Sequence, residues 1–200
     1  SYKDLKFPTI NSMTLPQPER LTLSNGMVVY LLEDRSFPVI KASARIRTGS
    51  WWEPEEKLGT ATVMAEVMRT GGIPTMTGDQ IDEELERLVA SIGFSMELTT
   101  MTTSMFALKE DAPRVLSLMR EMLSQPVFDL KKIDLQKVQL HDAVSRRNDQ
   151  MGEILRREMR RVIYGTESPL SRTMEHDHVD RITREDLIAY HRQTISPDRM

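Results

Sequence analysis

The chain has 200 residues, enough for one large domain or two small ones, and its 39% hydrophobic and 28% charged content is ordinary for a globular fold. A net charge of −3 gives no electrostatic case for nucleic acid or for an anionic membrane surface. The absence of cysteine excludes disulfides, thiol catalysis and cysteine-ligated zinc. No apolar run approaches the ~18 residues of a membrane span. From charge and hydropathy together, we expect neither a nucleic-acid partner nor a membrane span.

Strands are predicted from alternating apolar residues and turn signals. Residues 1–19, rich in proline and polar residues, are predicted to form an extended arm. Asn25-Gly26 is a strong signal for a two-residue hairpin. Trp51 and Trp52, in the loop before the first helix, form either a binding wall or, as we favour, a cap over an edge of the core. The predicted strands are residues 20–24, 27–34, 37–48, 94–99 and 103–110.

Helices are predicted from apolar residues at helical spacing and from terminal signals. We expect Gly71-Gly72 to end the first helix and Gly93 to end the second helix, and Pro113 lies in the first turn of the third helix. Thr183 is expected to cap the last helix. The approximate ranges are 58–72, 79–93, 111–126, 130–148, 151–164 and 183–194. Strands in hairpins followed by helices favour an α+β fold, with an antiparallel sheet of five to six strands packed against helices in one domain, residues 20–200.

The remaining polar residues suggest no catalytic set. Residues 176–178 (His-Asp-His) could clip a metal ion, but we favour exposed side chains in a loop. His191 is interpreted as a surface or packing residue. The basic run at residues 156–161 is interpreted as the solvated face of a helix rather than as a nucleic-acid patch.

Five stretches, in order and at matching spacing, resemble the pitrilysin/insulinase-type zinc metallopeptidases, a family that includes the mitochondrial processing peptidase. The resemblance covers roughly residues 19–200 and implies a processing-peptidase-like metallopeptidase domain. The stretches are LTLSNGMVVYLLED, the strand ending IRTGSWWEP, GTATVMAEVMRTGG, DQIDEELERLVASIG and ITREDLIAYHRQTISPDRM.

Active members of that family carry an inverted zincin motif, His-x-x-Glu-His, on the first helix. The two histidines bind zinc, and the glutamate between them is the general base for a zinc-bound water. The matching positions here are Thr62, Ala65 and Glu66. The third ligand of the family, a glutamate on a later helix, is matched to Asp142, 76 residues after Glu66.

These replacements remove the chemistry that the motif supplies. Ala65 cannot accept a proton, and one hydroxyl with two carboxylates is a poor ligand set for zinc. We therefore expect no catalytic residue, no cofactor and no metal. Within the degenerate site of Thr62, Glu66 and Asp142, the two carboxylates, with His141 beside them, could still hold a hard cation or an adventitious metal. The favoured alternative pairs Glu66 with an arginine such as Arg69 and leaves Asp142 facing solvent or a cap.

The resemblance implies a catalytically degenerate domain that is the non-catalytic partner, or a peptide-binding wall, of a proteolytic chamber. Its partners would be an active peptidase subunit or a second half of the same family, together with an unfolded peptide. One alternative is a structural or assembly subunit, like the core proteins of the respiratory cytochrome bc1 complex. Another is a hydrolase with relocated catalytic groups, which needs a His/acid cluster that four scattered histidines do not supply.

The family pattern would continue beyond residues 196–200 into another strand, so we expect a fragment of a longer chain with a second similar domain. A sheet that lacks its closing strand has an exposed edge, which predicts a homodimer. The bacterial homologues that the chain resembles suggest the periplasm or envelope, with the cytoplasm as the alternative.

Overall fold

The computed structural model describes residues 16–200, which fold into helices and strands in the order that the sequence predicts, with one additional short helix at residues 176–180. Most of the predicted N-terminal arm, residues 1–15, lies outside the described residues. The elements are β1 (Glu19–Thr22), β2 (Val28–Leu31), β3 (Val39–Ile46), α1 (Thr60–Thr70), α2 (Gly78–Arg87), β4 (Ser91–Met96), β5 (Met101–Leu108), α3 (Ala112–Ser124), α4 (Leu130–Arg146), α5 (Met151–Tyr164), α6 (His176–Asp180) and α7 (Arg184–Thr194).

The fold class is α+β, as predicted, but the five strands form two antiparallel sheets rather than one. β1 and β2 form a hairpin, and the other three strands form a sheet in the order β3-β5-β4. A turn separates the two sheets, because Asp34 accepts a hydrogen bond from the backbone N–H of Ser36 (2.9 Å) and Pro38, just before β3, has no N–H to donate to a ladder. β2 and β3 are consecutive strands but do not pair with each other.

The three-stranded sheet has one buried and one accessible face. Along β5 the alternating residues Met101, Thr103, Met105 and Ala107 are buried, whereas the residues between them are accessible. Helix α1 packs against the buried face, chiefly along β4, and is itself buried along most of its length. The functional positions expected on α1 therefore lie on the central helix of the core.

The second helix is shorter than predicted. It ends at Arg87 instead of continuing to Gly93, and Val89 adopts a left-handed conformation with φ of 50°. Ile92, expected on the apolar stripe of the helix, lies in β4 and is 3% exposed. Ile92 lies four residues after Leu88, which is also buried, so its spacing is the same as that of a residue within the helix and periodicity alone places the boundary too late.

Helix α7 ties distant parts of the chain together. Its predicted capping box at Thr183 is present. Arg184 donates hydrogen bonds to the carbonyls of Val127 (2.8 Å) and Phe128 (3.0 Å). The Tyr190 hydroxyl donates to the carbonyl of Gly49 (2.6 Å).

Helix α5 lies at the surface and buries none of its residues. Arg156 and Arg161 form ion pairs with Glu153 and Glu158 within the helix, in agreement with a solvated basic face. Within residues 16–200, no helix is both long and apolar enough to cross a membrane.

β3 and β4 are the outer strands of the larger sheet. Just beyond β3, the backbone N–H of Arg47 donates to the carbonyl of Arg199 (2.9 Å). Dimerisation through a sheet edge stays a prediction.

Candidate functional site

The start of α1 is fixed by a buried carboxylate. The Glu53 side chain, 5% exposed, accepts hydrogen bonds from the backbone N–H groups of Ala61 (2.5 Å) and Gly59 (3.2 Å). Gly59 has φ of 102°, and a Cβ there would lie 2.7 Å from Sδ of Met174. Glu53 therefore satisfies N–H groups that a helix leaves unpaired at its start, where the helix dipole favours negative charge.

Burial controls the charge of this carboxyl. Removal from water raises the pKa of Glu53 to about 7, while the N–H groups of Ala61 and Gly59 and the charge of Arg172 act in the opposite direction. The Arg172 guanidinium also donates to the backbone carbonyl of Glu53 (3.3 Å). The loop before α1 is thereby held both at its carboxylate and at its backbone.

The three positions on α1 that match the motif neighbour one another on the helix but differ in burial. Thr62 and Glu66, one turn apart, are exposed. Ala65 is 1% exposed and belongs to the core. The two positions matched to the family histidines are thus open to solvent, whereas Ala65, which is matched to the general base, has its methyl group packed inside the domain.

The predicted pairing of Glu66 with Arg69 is wrong. Arg69 instead binds Asp82 of α2, with 2.7 Å between Nη2 and Oδ1, and donates from Nε to the carbonyl of Ile92 (3.2 Å). These groups draw the guanidinium towards α2 and β4. Among the described residues, no hydrogen bond or ion pair engages the Glu66 carboxylate.

Asp142 lies on the outer side of α4. Leu140 and Val144 mark the inner side: Val144 is 6% exposed, and Cδ1 of Leu140 lies 3.3 Å from where a Cβ on Gly59 would be. Asp142 is two residues from each, about half a turn around the helix. Its side chain is 58% exposed and pairs with Arg146 (3.0 Å). The structure therefore places Asp142 in solvent and does not turn it towards the packed side of α4.

The structure brings together two histidines, His141 and His176, that lie far apart in the sequence. Residues 176–178, expected in a loop, form most of the short helix α6, which packs beside α4. Nδ1 of His176 lies 2.8 Å from Nδ1 of His141, and Nε2 of His141 lies 3.1 Å from Oδ1 of Asp180. The contact joins positions 35 residues apart, and neither local spacing nor composition signals it.

The other residues that drew attention in the sequence have structural roles or stay half exposed. His191 packs edge-on against Phe128 and its Nε2 contacts the carbonyl of Leu123 (2.8 Å), while burial lowers the pKa of the imidazole. Trp51 and Trp52, in a single 3-10 turn, are 37% and 44% exposed. The backbone N–H of Trp51 donates to the carbonyl of Leu98 (2.9 Å), which ties this turn to the β4–β5 connection.

Thr62, Glu66 and Asp142 do not fit a zinc ion. Their donors are one hydroxyl and two carboxylates, Asp142 faces away from the packed side of α4, and zinc prefers nitrogen or sulfur ligands. Within residues 16–200, no group of three His, Cys, Asp or Glu side chains is placed to hold a metal ion.

Comparison with known proteins gives a family and a fold. The family model described as Insulinase (Peptidase family M16) matches residues 28–177, more than half of the chain. No curated protein matches.

Several solved structures share the fold at low sequence identity. An inactive domain of a family M16 peptidase from Pseudomonas fluorescens has a TM-score of 0.81 and 19% identity over 88% of this chain. A protease from Helicobacter pylori (TM-score 0.77, 17% identity) and pitrilysin (0.78, 17%) each match over 92% of it. This chain covers 43%, 45% and 20% of those three chains, so it spans less than half of each.

Proposed function

This chain belongs to the insulinase family of peptidases, family M16, and from that premise we propose that it is a non-catalytic domain that forms part of the wall of a proteolytic chamber and contacts the peptide held there. One observation carries the proposal: α1 keeps its place in the core, but Thr62 and Glu66 stand at the positions of the zinc-binding histidines and Ala65 at that of the general base.

The chemistry of these positions argues against hydrolysis by this domain. Zinc supplies its family with a Lewis acid and an activated water when two imidazoles and a carboxylate hold it. Here the donor set and the outward position of Asp142 do not fit the ion. Ala65 has no group that could take a proton from a water molecule.

The accessible face of the three-stranded sheet supports the peptide-binding part of the proposal. In the ladder, Phe106 pairs with Lys41 of β3 on one side and with Ser91 of β4 on the other. Together with Ser43 and Ser104 these residues line a shallow depression of about 430 Å³. An aromatic ring set among hydroxyls and one cation offers apolar contact and hydrogen bonds, as an extended peptide of mixed composition requires.

The catalytic groups of such a chamber would come from elsewhere. The chain spans less than half of the solved proteins named above, and one of those is itself described as an inactive domain. We propose that an active domain of the same family, in the same polypeptide or in a partner subunit, supplies the zinc site.

Two measurements on the 200-residue chain test the proposal. First, a quenched fluorescent peptide without stable structure should not be cleaved faster with added zinc than without it. Cleavage that is abolished by a chelator and by Glu66→Gln would overturn the assignment as non-catalytic.

Second, labelled unstructured peptides should bind the sheet face, as measured by fluorescence anisotropy. We expect Phe106→Ser to weaken binding at least fivefold. Tyr30→Ser is the matched control, because Tyr30 is an aromatic residue, 62% exposed, on the separate β1–β2 sheet. No binding, or an equal loss in both variants, would contradict a peptide site on this face.

A further inference from the structure

We propose that His141 of α4 and His176 of α6 form a binding site for a transition-metal ion that ties the two helices together. The site is separate from the positions of the family motif on α1 and does not depend on the proposed function. It rests on one juxtaposition: two imidazole nitrogens face each other at 2.8 Å, and a carboxylate holds the far side of one ring.

The two rings meet edge to edge. Their planes differ by 15° and their centres are 5.1 Å apart. The 2.8 Å between the Nδ1 atoms, plus the distance from each nitrogen to its ring centre, accounts for this whole separation. Both Nδ1 atoms therefore point into the gap between the rings, where one N–H···N hydrogen bond joins them in the absence of metal.

Asp180 sets the tautomer of His141. Its carboxylate accepts the proton of Nε2 (3.1 Å), which leaves the Nδ1 lone pair of His141 directed at the gap. A carboxylate bound to the far nitrogen of a ligating histidine is the usual outer shell of a metal site. In the metal-free pair, Nδ1–H of His176 is then the donor.

A metal ion would replace the proton between the rings. The His176 proton leaves Nδ1 and a proton is taken up at Nε2, so a neutral pair stays neutral on binding. Two nitrogens at about 2.0–2.1 Å from a tetrahedral ion lie roughly 3.3 Å apart, so the rings must separate by about half an ångström. His176 is exposed and His141 is 30% exposed, so rotation of the His176 ring provides this movement and solvent supplies the remaining ligands.

Donor type defines the ion. Three carboxylates lie within six residues of α6 and its cap, at Glu175, Asp177 and Asp180. Arg147 neutralises Glu175 and Arg181 lies 3.6 Å from Asp177, whereas Asp180 contacts His141. The Lys137 ammonium donates to the carbonyl of Asp180 (3.0 Å), so the three carboxylates are balanced by three cations and the donor type decides. Two imidazoles suit Cu²⁺, Ni²⁺ or Zn²⁺ and disfavour Mg²⁺ or Ca²⁺.

The experiment uses Cu²⁺, Ni²⁺ and Zn²⁺ with the 200-residue chain, by titration calorimetry at pH 7.5 and by electron paramagnetic resonance of the Cu²⁺ complex. We expect one equivalent to bind and the copper spectrum to show two nitrogen ligands. His141→Gln and His176→Gln should each weaken binding at least tenfold. Asp180→Asn should weaken it about tenfold, since loss of an outer-shell partner lowers metal affinity 10–100-fold.

His178→Gln is the matched control, because it removes a histidine from the same helix whose Nδ1 is occupied by the backbone N–H of Glu175 (2.9 Å). This variant should bind as the wild type does. Circular dichroism of each variant distinguishes the loss of a ligand from the loss of the fold. His176 is exposed, so His176→Gln is the substitution least able to disturb packing. Equal loss in His178→Gln, unchanged affinity in His176→Gln, or a copper spectrum without two nitrogens would overturn the site.

Discussion

The two sides of helix α1 differ sharply in burial. On the inner side, Val63, Met64, Val67 and Met68 are completely buried, and Ala65 nearly so. On the outer side, Thr62 and Glu66 are exposed. Packing constrains the first set, whereas the second could change without a cost to the fold. Substitutions on the outer side of α1 should therefore leave the structure of the domain unchanged.

Ala65, which is matched to the general base, is the exception among the three positions, because it is buried. Ala65 is 1% exposed, so a glutamate at position 65 would have to displace part of the core that packs around it. Restoration of the motif is thus expected to be easy at two positions and costly at the third.

The largest effect on stability is expected from a substitution on the inner side of α1. Met68→Ala should lower the free energy of unfolding by about 2–5 kcal/mol, because it leaves a cavity in close-packed surroundings. Urea denaturation measures this change. Met159→Ala on α5 is the control, since that side chain is 50% exposed, and it should stay within about 0.5 kcal/mol. Similar losses for both variants would remove the distinction between core and surface helices.

Glu53 should make stability depend on pH. Its pKa is raised in the folded state from 4.5 to about 7, so the folded protein binds the proton more tightly than the unfolded chain. The stabilisation is complete below about pH 4.5 and is lost as the pH rises through 7. The free energy of unfolding should fall by about 3 kcal/mol over this range.

Chemical denaturation at several pH values, wild type against Glu53→Gln, isolates this contribution. The variant cannot titrate at position 53, so the difference between the two proteins should shrink towards acid pH. A difference that does not change between pH 4.5 and 7.5 would show that burial does not govern this carboxyl.

Ala65→Glu tests the inner position of the general base. A carboxylate placed there without a partner should lower the free energy of unfolding by about 1–3 kcal/mol. Thr62→Glu introduces the same side chain on the outer side of the same helix and is the control. Thermal denaturation should separate the two variants clearly, and equal stability would show that position 65 can open to solvent.

The smallest effects on stability are expected from substitutions on the outer side of α1. Thr62→Ala and Glu66→Ala should each change the free energy of unfolding by no more than about 0.5 kcal/mol, and Thr62→Ala should be slightly stabilising because alanine is the better helix former. A loss above 1 kcal/mol in urea denaturation would reveal a structural role for these two side chains.

The sequence predicted those features that local chemistry determines. The ends of α5 and the cap of α7 follow from apolar spacing and from Thr183, and both agree with the structure. The end of α2 was missed because Val89 adopts a left-handed conformation that is rare for a β-branched residue. Periodicity continues across this break, so the sequence carries no warning of it.

Contacts between distant residues account for the remaining differences. Arg69 binds Asp82 and the carbonyl of Ile92 instead of Glu66, and His141 meets His176 across two helices. Each depends on how elements pack, which spacing along one helix does not report. The split into two sheets likewise depends on where the chain travels after Asp34.

The contacts of α7 carry a consequence for how the chain acquires its structure. The bond from Tyr190 to Gly49 spans 141 residues, and the ion pair of Lys57 with Asp186 spans 129. Contacts of such long range slow folding, because a large loop must close before they form. During synthesis the loop that leads into α1 cannot form these contacts until α7 has left the ribosome. The domain should therefore mature late, and removal of α7 should leave an open intermediate with the apolar side of α1 uncovered.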